Sequence, residues 1–296
     1  MKLHRFYLIL FSILVSTLCL SCHSGKNLSG TAYYNYDQTA PLNLTTRSTS
    51  ILGDTFYEIE FTSTHHEAVT GILSYPDVVG PPLPVIILVH GLGDHKNVDY
   101  IAGGEAILRE AGYAVLRIDL YNHGARKEAD FDFSFDGSTR YRSREVITQS
   151  VFDLRRALDF IETRPELDPH RIGYYGISLG GIIGTIFAGV DERVKVPVIT
   201  LAGGRLNLMY GIHALTKENK NYLSTIDPIH FVKQIAPRPL LMINAEQDEV
   251  IPPATSKFLY KKAGQPKDII WYPATHRTIP IEEAYKAGLN WFRQHL

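Results

Sequence analysis

Arg171-Ile-Gly-Tyr-Tyr-Gly-Ile-Ser-Leu-Gly-Gly-Ile-Ile-Gly-Thr-Ile-Phe-Ala188 joins an apolar run to a run of small and apolar residues, with a single serine at the junction. The first part reads as a buried strand, and Gly180 to Ala188 reads as a helix whose glycines let it lie close to a sheet. Between the two the chain must turn sharply. A Cβ at Gly176 or Gly180 would collide with neighbouring backbone in that turn, so the glycines allow Ser178 to project its hydroxyl from the top of the sheet. An isolated Gly-x-Ser-x-Gly also occurs as an ordinary loop serine, and it is the flanking strand and helix signals that argue against this alternative here.

The same alternation extends outward from this junction. Val85–Val89, Ala114–Ile118, Arg171–Ile177, Val194–Leu201, Pro239–Ala245 and Asp268–Tyr272 are strand candidates, with helix candidates near 98–111, 143–163, 179–189, 253–263 and 280–295. This pattern predicts right-handed β-α-β crossovers and an α/β fold: a mainly parallel central sheet with helices on both faces. Upstream of the breaker Gly80-Pro-Pro-Leu-Pro84, Thr55–Phe61 and Ala68–Ser74 flank the polar Thr62–Glu67 turn and read as an antiparallel N-terminal hairpin.

The chain has 296 residues, 45% hydrophobic and 21% charged, with a formal net charge of −1. That balance gives no basic field for a nucleic-acid partner. Lys2, His4 and Arg5 precede the apolar run Phe6–Val15, and the uncharged stretch to Ser21 is shorter than the roughly 20 residues a bilayer span requires. Residues 1–22 are therefore expected to be an export signal, 23–53 a linker and 54–296 one catalytic domain, with insertions near 125–142 and 203–236. Both cysteines, Cys19 and Cys22, fall at the end of the leader, so the domain has neither a disulfide nor a cysteine nucleophile. Leu20-Ser21-Cys22 resembles the site at which bacterial lipoproteins are cleaved and acylated. The expectation is an exported protein anchored to the membrane at Cys22, with simple secretion or a periplasmic location as the alternative.

In sheets of this kind, reactive groups gather beyond the carboxyl ends of the strands. A serine hydroxyl is a weak nucleophile at neutral pH and needs a base, itself oriented by an acid. Asp248 lies just past Leu240–Ala245, and His276 just past Ile269–Tyr272, giving the chain order Ser178, Asp248, His276. Glu246 and Glu249 compete with Asp248, which is preferred because Glu249-Val-Ile-Pro-Pro253 opens a turn and helix that would fix it. His276 is one of twelve histidines, and it alone lies between the last predicted strand and the last predicted helix. Two backbone N–H groups must receive the oxyanion: Leu179, after the nucleophile, and Leu92, in His90-Gly-Leu-Gly-Asp94 after the first parallel strand.

With these residues in view, the chain resembles serine esterases of the α/β-hydrolase superfamily, closest to dienelactone-hydrolase-like and acetyl-xylan-esterase-like members, over about residues 55–295. His90-Gly-Leu-Gly, Asp119-Leu-Tyr-Asn-His-Gly124, Gly176-Ile-Ser-Leu-Gly-Gly181, Asp248-Glu-Val-Ile-Pro252 and His276 carry the resemblance. It implies an α/β-hydrolase fold, Asp119 and His123 shaping the loop after the second parallel strand, and hydrolysis of a small-molecule carboxylic ester. Where dienelactone hydrolases proper carry a cysteine nucleophile, this chain has Ser178. No metal or organic cofactor is expected: the adjacent His65 and His66 point apart and lack further ligands. Phe131–Asp136, followed by Arg140, Arg142 and Arg144, is either a contact for an anionic or sugar substrate or solvated charge beside an apolar cluster. The excursion over 203–236 is a candidate cap for the pocket. A serine peptidase of the same fold and a non-catalytic anchored binding protein are the rival readings, and the complete triad speaks against the second. The acyl and alcohol groups of the substrate and the oligomeric state have no signature in the sequence.

Overall fold

Short apolar strands alternate with amphipathic helices, and burying both sets together yields three layers. The structure, a computed structural model, describes residues 30–51, 54–77, 80, 82–128, 130–135, 137–209 and 216–296. The leader and Cys22 lie outside the described residues. The strands are β1 (Thr45–Ile51), β2 (Asp54–Thr62), β3 (Ala68–Ser74), β4 (Leu83–Val89), β5 (Ala114–Ile118), β6 (Leu167–Ile177), β7 (Val194–Thr200), β8 (Leu240–Ala245) and β9 (Lys267–Tyr272). Among the described residues they form one sheet in the order β1-β2-β3-β5-β4-β6-β7-β8-β9. The pairings from β1 through β3 to β5 are antiparallel, and those from β5 across to β9 are parallel.

The helices are α1 (Gly30–Tyr33), α2 (Asp99–Glu110), α3 (Arg140–Glu162), α4 (Leu179–Val190), α5 (Lys217–Leu223), α6 (Pro253–Lys262) and α7 (Ile281–His295). Ile101 and Leu108 of α2 and Tyr285 and Phe292 of α7 cover one face of the sheet. Leu154 and Leu158 of α3, Ile183 and Phe187 of α4 and Leu259 of α6 cover the other. A mainly parallel sheet with an antiparallel N-terminal hairpin and helices on both faces is what the alternation predicts. The chain passes from β4 to β5 on one side and returns to β6 on the other. This change of direction opens a crevice beyond the carboxyl ends of β4 and β6, where open α/β sheets bind their ligands.

The linker expected over 23–53 is corrected over its described part, which is built into the domain. β1 adds to the sheet edge with every residue from Thr45 to Ile51 in register with β2. Its sequence, Thr-Thr-Arg-Ser-Thr-Ser-Ile, is almost entirely polar, because an edge strand is held by its backbone and needs no apolar face. Before it, Tyr34 is fully buried, its hydroxyl donates to Thr225 O at 2.6 Å, and its ring meets Phe152 and Phe231. Arg156 of α3, 2% exposed, donates to Ala40 O at 2.7 Å and pairs with Asp159, clamping the same segment from below.

A buried polar girdle ties the loops at the carboxyl edge. The Asp119 carboxylate, beyond β5, accepts from Lys96 N at 2.8 Å, Ala125 N at 3.1 Å and Thr70 Oγ1 at 3.1 Å, and pairs with the Lys96 ammonium. Burial works against its charge, yet the Lys96 hydrogen bonds and charge hold its carboxyl below the usual range. Arg126 reaches Asp119 O at 3.2 Å and Asp153 of α3 at 2.6 Å. His90 is fully buried: its Nε2 accepts from Leu120 N at 3.1 Å, which leaves Nδ1–H to donate to Gly91 O at 2.7 Å. Burial pushes this imidazole down to about 4. His123 is likewise lowered by burial, and its Nδ1 meets Tyr121 O at 2.8 Å.

Two expectations follow from this packing. Tyr34→Ala should cost about 3–5 kcal/mol, the range for truncating a buried aromatic side chain, in urea unfolding at neutral pH; an unchanged midpoint would return the segment to linker status. The unfolded chain holds a proton at His90 between the ordinary 6.5 and about 4, where the folded chain does not. Stability must therefore fall as pH is lowered through that interval. His90→Gln should flatten part of the drop in urea midpoint between neutral and mildly acidic buffer.

Candidate active site

Ser178 reverses the chain direction between β6 and α4 by itself, at φ 55° and ψ −114°. A non-glycine residue rarely holds a positive φ unless its surroundings impose it. Here Ser178 N donates to Thr200 O of β7 at 2.9 Å, and Ser178 O accepts from Ile182 N at 3.0 Å to begin α4. A Cβ on Gly176 would stand 2.4 Å from Gly180 O, and one on Gly180 would stand 2.7 Å from both Val89 O and His90 O. The second contact brings the first turn of α4 onto the end of β4, so the Ser178 turn and the His90–Asp94 loop are neighbours.

His276 Nε2 lies 3.0 Å from Ser178 Oγ, and its Nδ1 lies 2.8 Å from Asp248 Oδ2 and 3.0 Å from Oδ1. The structure thus brings the three predicted side chains into one hydrogen-bonded row. Asp248 is buried, and its Oδ1 also accepts from Val250 N at 2.9 Å and Ile251 N at 2.7 Å, so the turn before α6 aims it. Its two competitors sit elsewhere. Glu246 contributes its backbone N–H to Tyr272 O, and Glu249 turns its carboxylate to the main chain of His276, accepting from His276 N at 3.0 Å. Its own N–H and that of His276 hold the Glu249 carboxyl below the usual range.

Leu179 is the first residue of α4, where a backbone N–H has no partner within the helix. Leu92 is half exposed and lies with Ser178 and His276 on the wall of a cavity of about 490 Å³. The neighbouring amide is already occupied: Gly91 N donates to Tyr100 Oη at 2.8 Å, and the Tyr100 hydroxyl donates to Asp94 Oδ2 at 2.7 Å. Burial raises this phenol, so it remains a donor at neutral pH. Sequence reasoning missed Tyr100 and the role of Glu249. Nothing in the spacing of Tyr100, at the start of α2, points to Gly91.

Val98, Ile177, Leu201, Ile279 and Ile281 give the cavity its apolar wall. Among the described residues lining it none falls within 203–236, and residues 210–215 of that excursion, expected as a cap, lie outside the described residues. The Asp227 carboxylate accepts from Arg205 N at 2.9 Å and Leu206 N at 2.8 Å and holds the start of that excursion down beside α6. Residues of the other insertion, Phe131 and Phe133, line a smaller cavity of about 240 Å³ on the far side of Leu92, together with His123. The insertion's arginines engage protein groups: Arg140 pairs with Glu218, Arg142 stacks on Phe131 and Arg144 on Tyr141. His65 Nδ1 meets Gln149 Oε1 at 2.8 Å.

Among solved structures, the acetyl xylan esterase from Paenibacillus sp. R4 superposes with a TM-score of 0.74 at 21% identity, covering 93% of this chain and 96% of that one. Acetyl xylan esterase 1 from Thermoanaerobacterium sp. JW/SL YS485 gives 0.73 at 17% identity, covering 90% and 92%. These likenesses show a shared fold. In sequence, the chain is 26% identical over 235 residues to the esterase YjfP of Escherichia coli strain K12, covering 73% of this chain and 90% of that protein. It is 22% identical over 269 residues to the acetyl esterase Axe7A of Xylanibacter ruminicola, covering 81% of this chain and 59% of that protein. Residues 69–295, from β3 to the end of α7, match the dienelactone hydrolase family as a whole. The chain belongs to the dienelactone hydrolase family and is a hydrolase of the α/β-hydrolase fold.

Proposed function

We propose that this hydrolase cleaves small carboxylic esters through an acyl-enzyme formed on Ser178. The observation that carries the reading is the row Ser178 Oγ, His276 Nε2, His276 Nδ1, Asp248 Oδ2, with spacings of 3.0 and 2.8 Å, opening on the 490 Å³ cavity. The esterase names of YjfP and Axe7A support an ester over an amide as the substrate.

In this mechanism Ser178 Oγ adds to the ester carbonyl carbon while His276 Nε2 takes its proton. Asp248 accepts the Nδ1–H bond and stabilises the imidazolium that results. The carbonyl oxygen, now an anion, is received by the N–H groups of Leu92 and Leu179, the latter at the positive end of α4. Collapse of the tetrahedral species breaks the bond to the alkoxy oxygen, which leaves with the proton from His276. Water then repeats the sequence on the acyl-enzyme, with His276 as base, and the acid departs. Tyr100 acts as a positioning residue: by accepting from Gly91 N it fixes the turn that presents the Leu92 amide. The apolar wall formed by Val98, Ile177 and Leu201 suits a short acyl or alkyl group. The leader extends this reading to an exported enzyme tethered at Cys22.

Ser178→Ala should abolish turnover of p-nitrophenyl acetate and labelling by a fluorophosphonate, with the circular dichroism spectrum unchanged; retained turnover would reject the nucleophile. Tyr100→Phe should lower kcat by roughly tenfold, about the worth of one positioned hydrogen bond, while fluorophosphonate labelling still goes to completion. An unchanged kcat would remove Tyr100 from the oxyanion assembly.

A further inference from the structure

The largest cavity among those described lies away from Ser178, between α5 and α6, with a volume of about 740 Å³. It shares no lining residue with the catalytic cavity. Arg205, Lys220, Lys261 and Lys262 surround it, three separate elements sending positive charge to one groove in a chain whose formal net charge is −1. Among the described residues, no carboxylate pairs with any of the four. The one acidic residue on the wall, Asp227, is 2% exposed. Its oxygens are taken by the N–H groups of Arg205, Leu206 and Ile229, and burial raises its carboxyl. It therefore does little to neutralise the groove. His230 completes the polar rim, and Leu223, Ile229 and Phe258 supply an apolar floor.

The position of Arg205 is built. Its φ is +56°, a conformation a side chain of this size adopts only under constraint. The constraint is the Asp227 carboxylate that takes its amide, and the outcome is a guanidinium stacked 4.1 Å over the Phe258 ring. A stacked guanidinium keeps its N–H edges free for an anion while its flat face continues the floor.

We propose that this groove is a second binding site, for a small amphipathic anion: a flat or aliphatic body lying on Phe258 and Ile229, with a carboxylate, sulfonate or phosphate between Arg205 and the α6 lysines. Charge complementarity selects the anion, the floor selects the apolar body, and the volume lies within the range of small-molecule sites. The site is independent of the ester-cleaving reading and requires no catalysis.

Anilinonaphthalene sulfonate serves as the probe, with its uncharged parent phenylnaphthylamine as the control, titrated by calorimetry into the full chain. The expected result is one saturable sulfonate site, retained in Ser178→Ala and weaker by roughly tenfold in Arg205→Gln/Lys262→Gln, a loss of about 1.4 kcal/mol. The uncharged control should bind equally to both proteins. Both side chains substituted in the double variant are exposed, and matching thermal melts would establish that it is folded. Absence of a saturable site, equal sulfonate affinity in the double variant, or displacement of the probe when Ser178 is phosphonylated would each overturn the proposal.

Discussion

The close approach of Gly180 to the carbonyl oxygens of Val89 and His90 is the contact on which the molecule's chemistry rests. A side chain at that point would push α4 off the end of β4. The loop after β4 and the turn after β6 would then separate, although one supplies Leu92 and the other Ser178 and Leu179. The sheet makes the contact possible because its strand order reverses direction at β4, leaving β4 and β6 adjacent with both carboxyl ends free. Ser178 accepts a left-handed backbone as the local cost, and hydrogen bonds to β7 and into α4 hold it there.

Much of this was legible before any coordinates. Each strand that carries one of these residues beyond its end contains a mostly apolar run and then a break, so the ends of β4, β6, β8 and β9 are visible, and with them the places to look. Asp248 stands out from Glu246 and Glu249 because the turn Val-Ile-Pro-Pro after it offers backbone N–H groups, and those of Val250 and Ile251 are the ones it receives. What stayed hidden has a common physical character. β1 has no apolar alternation because its contribution is made by backbone pairing. Tyr34 is one of three tyrosines in a polar stretch, beside Tyr33 and Tyr36, and its burial depends on Phe152 and Phe231, far away in the chain. The bond from Gly91 to Tyr100 joins a glycine amide to a helix residue, and neither partner advertises the other.

The polar girdle behind the site separates two kinds of buried charge. The charges of Asp119 and Lys96 and of Arg126 and Asp153 are paired, and Arg126 also reaches Asp119 O, so their burial ties the loops after β4 and β5 together. The cations around the groove between α5 and α6 have no such partners among the described residues. A protein interior tolerates charge when the members of a network are matched; a recess lined mainly by cations raises the local concentration of anions.

Glu249 has a consequence of its own. By gripping the main chain of His276, beside the bonds from Glu246 N to Tyr272 O and Gln247 N to Ala274 O, it sews the segments after β8 and β9 into a single jaw that carries both Asp248 and His276. Ser178, Leu179 and the loop after β4 form the opposing jaw. Five groups from four strand ends thus meet across one gap, the 3.0 Å between imidazole and hydroxyl.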